Sequence, residues 1–418
     1  MQMTAGTQAE GRTQAECLSE PQKRRVRIIG YSATFLSTFS LGITEIFASW
    51  YAGILGATPF EMGWAMGSFG IVYMFSPAIG GKLSDRIGRR KSLMIATGAY
   101  ICLLLLYPQP FIAPLHLILI RALEGLFFGL FNPTVEAMVA ELCPGSQAAV
   151  LGNFSTSWSA GMIMSPFVLA YMATNFGNVS SIYIALGIEI ITLGLIGFAV
   201  KDYQLAKTAD VATTESKSSS YPEPKPSIVG EHKSLKTSTR FVASYLSLAL
   251  FGFVSTVILS LFPTYVQGLP GYGAQTFGNL LVVWNVTRTF AFLACSKFPH
   301  KWMGSAIMSG TIFITASMFP IFLLTDLQSL MVAMVLCGIG AGFSYLGALY
   351  IIVSASDEEK GAHAGLVESL AGVGFFAGPI AGGWVAGFGL NLPYLLTLIY
   401  GAITVILVAV TLRASKTR

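Results

Sequence analysis

The chain has 418 residues, 54% of them apolar and only 11% charged, whereas a soluble chain carries about 25% charged residues. Too little polar surface exists to coat a water-soluble globule, and disorder, a collagen repeat and a disulfide scaffold are excluded by the same composition. The net charge of +5, from 25 Lys and Arg against 20 Asp and Glu, is informative through where the positive residues fall rather than through its sum.

A membrane-crossing helix needs about 20 mostly apolar residues. Stretches of this kind run roughly over 28–55, 60–80, 92–107, 115–140, 148–174, 180–200, 241–266, 275–296, 305–324, 328–353, 361–387 and 391–412. Membrane-crossing strands are shorter, about 10 residues, and alternate in polarity. The chain is therefore expected to be an all-α membrane protein with twelve spans, numbered here in chain order. Residues 1–26 read as a polar tail ending beside a basic cluster, Lys23, Arg24, Arg25 and Arg27. No cleaved signal peptide is expected ahead of the first long apolar stretch. Residues 201–240, rich in Ser, Thr, Lys and Pro, read as a disordered linker. It separates a six-helix half over 27–200 from a second over 241–412, and 413–418 form the C-terminal tail.

With twelve spans, 23 of the 25 Lys and Arg fall on one side of the membrane, and the other two, Arg121 and Arg288, fall inside spans. The positive-inside bias makes that side the cytoplasm and puts both termini there. Shifting the chain on itself by 213 residues superimposes Gly125 on Gly338, Gly129 on Gly342, Gly152 on Gly365, Gly161 on Gly374 and Pro166 on Pro379. Two parallel six-helix halves around a midplane site is a transporter plan.

Between spans 2 and 3 the sequence reads Gly81-Lys82-Leu83-Ser84-Asp85-Arg86-Ile87-Gly88-Arg89-Arg90-Lys91. Gly81 and Gly88 allow a tight turn or a close backbone approach, and Asp85 can cap a helix or pair with a neighbouring Arg. The segment resembles the signature loop of the major facilitator superfamily, G-x-L-a-D-r-x-G-r-[RK], and the resemblance extends over the whole twelve-helix pattern. It implies the fold of that family, with two pseudo-symmetric halves. It also implies that Asp85, Arg86 and Arg89, framed by Gly81, Gly88 and Arg90, latch the halves together on the cytoplasmic side in the outward-open state. The repeat puts Phe298 where Asp85 lies, so any latch is one-sided.

Two further motifs are partial. Arg121-Ala122-Leu123-Glu124-Gly125 in span 4 resembles R-x-x-Q-G with Glu in place of Gln, and in the family this Arg is implicated in proton coupling. Gly374, Gly378 and Pro379 in span 11 belong to a G-x-x-x-G-P-x-x-G-G run that antiporters carry on span 5. Here span 5 has Gly161 and Pro166 without the closing glycines. Small residues at this spacing also simply let helices pack closely. No sugar-porter signature follows span 6.

Ionisable residues inside a bilayer are functional candidates by default. They are Glu45, Arg121, Glu124, Glu136, Glu189, Arg288 and Glu368, two positives against five carboxylates. Either some carboxyl groups stay protonated or a cation neutralises them. Arg121 and Glu124 are neighbours on one helix face, and so are Trp284, Asn285 and Arg288. The second group suits either substrate contact or a helix-packing ion pair, and Arg288 and Glu368 lie at similar depth. The resemblance lines the central cavity with spans 1, 4, 7 and 10, which favours Glu45 and Glu136 as proton sites and disfavours Glu189 on a peripheral span. The site expected is Glu45, Arg121, Glu124, Glu136, Asn285, Arg288 and Glu368.

Cys17, Cys102, Cys143, Cys295 and Cys337 form no C-x-x-C pair, so no metal or redox site is expected. The absence of GxxxxGK[ST] leaves gradients rather than ATP as the energy source. No catalytic cluster involves the four His, and neither enzyme activity, a cofactor nor a nucleic-acid partner is expected. Aromatics such as Trp158 and Trp284 suit drugs, aromatic metabolites and sugars alike. The reading is a monomeric proton-coupled secondary transporter of a small organic solute in the plasma membrane. Efflux antiport is favoured over uptake symport, and a transporter-like receptor or lipid translocator is the alternative of another class.

Overall fold

A computed structural model describes residues 20–141, 147–199, 239–353 and 360–414. The expected linker and both ends of the chain lie largely outside these residues. The described chain is helical: α1 (Glu20–Ile54), α2 (Pro59–Tyr73), α3 (Ser76–Ile87), α4 (Arg89–Leu104), α5 (Pro114–Glu141), α6 (Gln147–Phe176) and α7 (Ser180–Ala199) form an N-terminal group. A C-terminal group follows, with α8 (Thr239–Gln267), α9 (Ala274–Cys295), a 3-10 turn (His300–Trp302), α10 (Met303–Leu323), α11 (Leu327–Val353), α12 (Lys360–Ala386) and α13 (Leu392–Ala414).

Among the described residues, eight helices are long and apolar enough to cross a bilayer: α1, α5, α7, α8, α9, α10, α11 and α13. The other four predicted spans fall on α2 with α3, α4, α6 and α12. Span 2 departs from the continuous helix expected for it. It breaks between Tyr73 and Ser76, and Pro77 sits in the first turn of the new helix α3. Proline lacks the N–H that a continuing helix needs and suits a helix start. Pro133, Pro166, Pro263, Pro320 and Pro379 are carried inside helices instead. The start of α2 is fixed by a reciprocal cap, in which Thr58 N–H donates to Glu61 Oε2 at 2.8 Å and Glu61 N–H donates to Thr58 Oγ1 at 3.3 Å. Large apolar side chains such as Phe198, Phe290, Phe388 and Val410 stand exposed on outward faces, where lipid is their natural solvent.

Glycines set how closely the helices approach. A Cβ on Gly125 would meet the Phe69 carbonyl oxygen at 2.7 Å, and one on Gly338 would meet the Trp284 carbonyl oxygen at 2.5 Å. Gly129 faces Ser76, and Gly342 faces Ala291 and the Arg288 carbonyl. Thus α5 lies on α2 and α3 much as α11 lies on α9, and the glycines that superimpose under the 213-residue shift do the same work. Gly161 packs on Phe35 and Thr38 of α1, while Gly374 and Gly378 pack on Phe253 of α8.

Among the described residues, three seams carry most of the contact between the two groups. On the first, α2 lies against α12, with Gly63 beside the Pro379 carbonyl and Gly383 beside the Pro59 carbonyl. On the second, α6 lies against α9, where Gly278 takes the Pro166 carbonyl and the hydroxyls of Ser159 and Thr289 are 2.6 Å apart. On the third, α1 meets α8, where Trp50 Nε1 donates to Gln267 Oε1 at 2.7 Å. The α1–α8 seam and the Gly63 and Gly383 contacts join helix ends remote from residues 81–91. On the signature-loop side α3 packs on α5 and α4 of its own group.

Gly129→Ala is expected to destabilise the protein by about 1–3 kcal/mol through overpacking. Gly98→Ala, which adds a methyl where nothing lies within 4 Å, is expected to leave the thermal unfolding midpoint in detergent unchanged or higher. Equal midpoints for the two variants would contradict the packing assigned to Gly129.

Candidate functional site

The first buried charge centre is on α5. Arg121 and Glu124, both fully buried, form an ion pair with Nη1 and Oε2 2.5 Å apart. The guanidinium lies over the Phe69 ring at 4.5 Å. Glu124 Oε1 accepts from the Tyr107 hydroxyl at 2.9 Å, and Oε2 accepts from Thr44 Oγ1 at 3.3 Å. Thr44 in turn is 3.0 Å from the Tyr100 hydroxyl. Donors from three parts of the chain therefore converge on one carboxylate, which is the arrangement that makes a buried ion pair tolerable. The spacing of Arg121 and Glu124 foretold their contact. Tyr100, Tyr107 and Thr44 were missed, and hydroxyl groups inside otherwise apolar spans were the signal that marked them.

The second centre is on α9. Trp284, Asn285 and Arg288 are all buried, on one face as their spacing predicts. Arg288 Nη2 donates to Asn285 Oδ1 at 2.6 Å. Its guanidinium sits 4.7 Å from the Trp284 ring centroid and 5.5 Å from that of Trp158 on α6. Two indoles, one from each helix group, thus flank a cation. The helix-packing ion pair considered for Arg288 is not formed among the described residues; aromatic faces and an amide take its place. The side chain of Glu368, its expected partner in depth, lies outside the described residues.

Glu45 is the acid that both centres act on through space. It is half-buried on α1 and lies within electrostatic range of both Arg121 and Arg288. Its carboxylate makes no hydrogen bond or ion pair among the described residues. Glu136, half-buried further along α5, is engaged by a neighbour. Glu189 departs from the peripheral role expected of its span. It is fully buried, and neither of its oxygens has a hydrogen-bond partner. A helix on the outside of a bundle still turns one face inward, and Glu189 is on that face.

The sequence model of the Major Facilitator Superfamily matches residues 30–355. The chain belongs to the major facilitator superfamily. The Staphyloferrin B transporter of Staphylococcus aureus is 24% identical over 334 residues, covering 78% of this chain and 77% of that protein. The multi-drug resistance efflux pump PmrA of Streptococcus pneumoniae is 31% identical over 147 residues, covering 34% and 36%. The crystal structure of a POT family transporter in complex with 5-aminolevulinic acid shares the fold with a TM-score of 0.72 at 15% identity, over 94% of this chain and 96% of that one. This facilitator is accordingly a multi-pass integral membrane protein of a family that handles small solutes, and not an enzyme.

The facilitator's signature loop joins α3 to α4 at Gly88, whose φ of 93° is a conformation that glycine adopts freely. Asp85 Oδ1 pairs with Arg89 Nη2 at 2.6 Å, and Arg89 also donates to the Ser84 hydroxyl. Arg90 donates to the Gly197 carbonyl at 2.7 Å, tying the loop to α7. Arg86 is exposed. Gly81 has neither a positive φ nor any neighbour that a Cβ would meet. The close approach considered for it belongs to Gly80 instead, where a Cβ would lie 2.5 Å from the Gly129 carbonyl oxygen. The Gly374, Gly378 and Pro379 motif serves helix packing, against α8 through its glycines and against Gly63 through the Pro379 carbonyl.

Glu124→Gln leaves the Arg121 cation buried without its counter-charge. The expected cost is about 3–5 kcal/mol, read as a large fall in the thermal unfolding midpoint in detergent. A midpoint equal to that of the unaltered protein would show that the pair does not hold α5 in place.

Proposed function

We propose that this facilitator is a proton-coupled secondary transporter that exports a small organic solute in exchange for protons across the cell membrane. It works as a monomer with twelve spans and both termini in the cytoplasm. The unpaired carboxylate of Glu45, within electrostatic range of Arg121 of one helix group and Arg288 of the other, carries this reading. As a carboxylate, Glu45 attracts both cations and draws the groups together. As a neutral acid it releases them, and Arg288 with its flanking Trp158 and Trp284 becomes free to engage a solute. Proton binding and solute binding then compete for the same charges, which is the thermodynamic content of exchange. Export is favoured because one relative of part of the chain is named an efflux pump.

Access alternates when the seams between the helix groups open at one end and close at the other. In the conformation described, Asp85 is spent on Arg89 within its own loop. In the opposite state, Asp85, Arg86 and Arg89 latch across to the C-terminal group. Asp85→Asn is expected to abolish transport while leaving the protein folded, because the Asp85 side chain is exposed and Asn keeps a side-chain oxygen for the buried Arg89. Transport at the unaltered rate would sink the latch.

The deciding experiment places purified protein in vesicles with an imposed proton gradient and offers cationic, anionic and neutral solutes. Gradient-driven solute movement is expected, out of the compartment that corresponds to the cytoplasm; movement the other way would make the protein an uptake symporter. If no solute class responds to the gradient, the transporter reading fails in favour of a receptor or lipid translocator. Glu45→Gln is expected to remove the dependence on the gradient while leaving downhill exchange. Glu136→Gln, at the second proton site proposed, is expected to weaken it. Unchanged pH dependence in both variants would refute the assignment.

A further inference from the structure

Glu189 is a fully buried carboxyl group whose two oxygens have no hydrogen-bond partner. The groups that face it come from each helix packed on α7. From α1 come the hydroxyls of Ser37 and Ser40, and Ser40 donates instead to the Ala185 carbonyl, one turn earlier on α7, at 3.4 Å. From α4 comes Tyr100, while Arg90, the α4 cation on this seam, is spent on the Gly197 carbonyl. The third packed helix, α6, contains no charged residue. Beyond these, Glu124 of α5 acts on Glu189 through space. No cation faces Glu189 among the described residues. An isolated carboxylate ion in such a place is far costlier than the neutral acid, so a proton is the ligand the site is built to hold.

A line of hydroxyls leads from this acid to the ion pair. Ser40 Oγ is 3.5 Å from the Tyr100 hydroxyl, the Tyr100 hydroxyl is 3.0 Å from Thr44 Oγ1, and Thr44 Oγ1 is 3.3 Å from Glu124 Oε2. Glu189 stands beside Ser40 at one end, and Glu124 with Arg121 stands at the other.

We propose that Glu189 is a further proton-holding site of this transporter, exchanging its proton with Glu124 through the hydroxyls of Ser40, Tyr100 and Thr44. The step balances. A change of Glu189 rotamer brings the acid within hydrogen-bond distance of Ser40. The acid gives its proton to Ser40 Oγ, Ser40 passes its own to Tyr100, Tyr100 to Thr44, and Thr44 to Glu124 Oε2. Each hydroxyl ends as it began, Glu189 becomes a carboxylate, and Glu124 becomes a neutral acid. The Arg121 cation is then released from its partner on the side of the bundle where Glu45 stands. The site extends the proton-coupled reading given above and rests on it for its role in transport. The presence of the proton does not rest on it.

The test uses the full-length protein in detergent and infrared spectroscopy, which reads the carbonyl band of a protonated carboxylic acid without any solute. At neutral pH the unaltered protein is expected to show such a band, shifting on transfer to D2O. Glu189→Gln, nearly isosteric with the neutral acid, is expected to remove it, and Glu45→Gln to retain it. Tyr100→Phe is expected to keep the band but slow its deuterium shift about tenfold or more, since each 1.36 kcal/mol added to a barrier costs that factor. An unchanged band in Glu189→Gln would overturn the site, and an unchanged exchange rate in Tyr100→Phe would overturn the relay. In the vesicle assay, Glu189→Gln is expected to lower the number of protons moved per solute; an unchanged ratio would overturn the coupling role. Failure of the unaltered protein to move any solute under a proton gradient would instead count against proton-coupled transport and leave the infrared result standing.

Discussion

The hydrocarbon interior of a bilayer supplies no hydrogen-bond partner to a peptide group, so a chain that crosses it satisfies its backbone within its own helices. The described spans of this chain are accordingly all helices. Where a proline interrupts the ladder the helix either absorbs it, as at Pro166 and Pro379, or ends and restarts, as at Pro77. The same medium makes each ionisable side chain expensive. Arg121, Glu124 and Arg288 are accordingly set among aromatic faces, hydroxyls and one another.

Helices in lipid gain little from burying apolar surface against each other, and close packing takes over that role. Glycines let backbones touch, from Gly125 on Phe69 within one group to Gly63 on Pro379 between groups. Contacts within a group and contacts between groups are therefore made of the same material. The between-group seams combine small residues with a few hydrogen bonds, such as Trp50 to Gln267 and Ser159 to Thr289. A seam of that kind can part and reform at low cost, which is what the alternating access proposed above asks of it.

Much of the site was legible because helix periodicity places residues three and four apart side by side. That spacing makes Arg121 a neighbour of Glu124, and Arg288 a neighbour of Asn285 and Trp284, and the structure has these contacts. Periodicity says nothing about which helix lies opposite. Trp158, Tyr100, Tyr107 and Thr44 reach the charges from other helices or from the turn after α4, and no spacing within one span announces them. The peripheral rank of its span argues against Glu189, although a helix has two faces and this residue is on the inward one. The motif points to Gly81, whereas its neighbour Gly80 is the one against which another backbone lies.

The amino-acid sequence by itself determined that this chain is a helical membrane protein of the major facilitator superfamily. Scarce charge, long apolar runs and a signature loop are properties of composition and order, and they hold whatever the helices do to each other. Only the tertiary structure decided which charges are neutralised and how. Arg121 has a carboxylate, Arg288 has two indoles and an amide, and Glu45 and Glu189 have no partner among the described residues. Electrostatic and hydrogen-bond interactions at these distances depend on which helices pack together and through which faces, and that information lies between segments far apart in the chain.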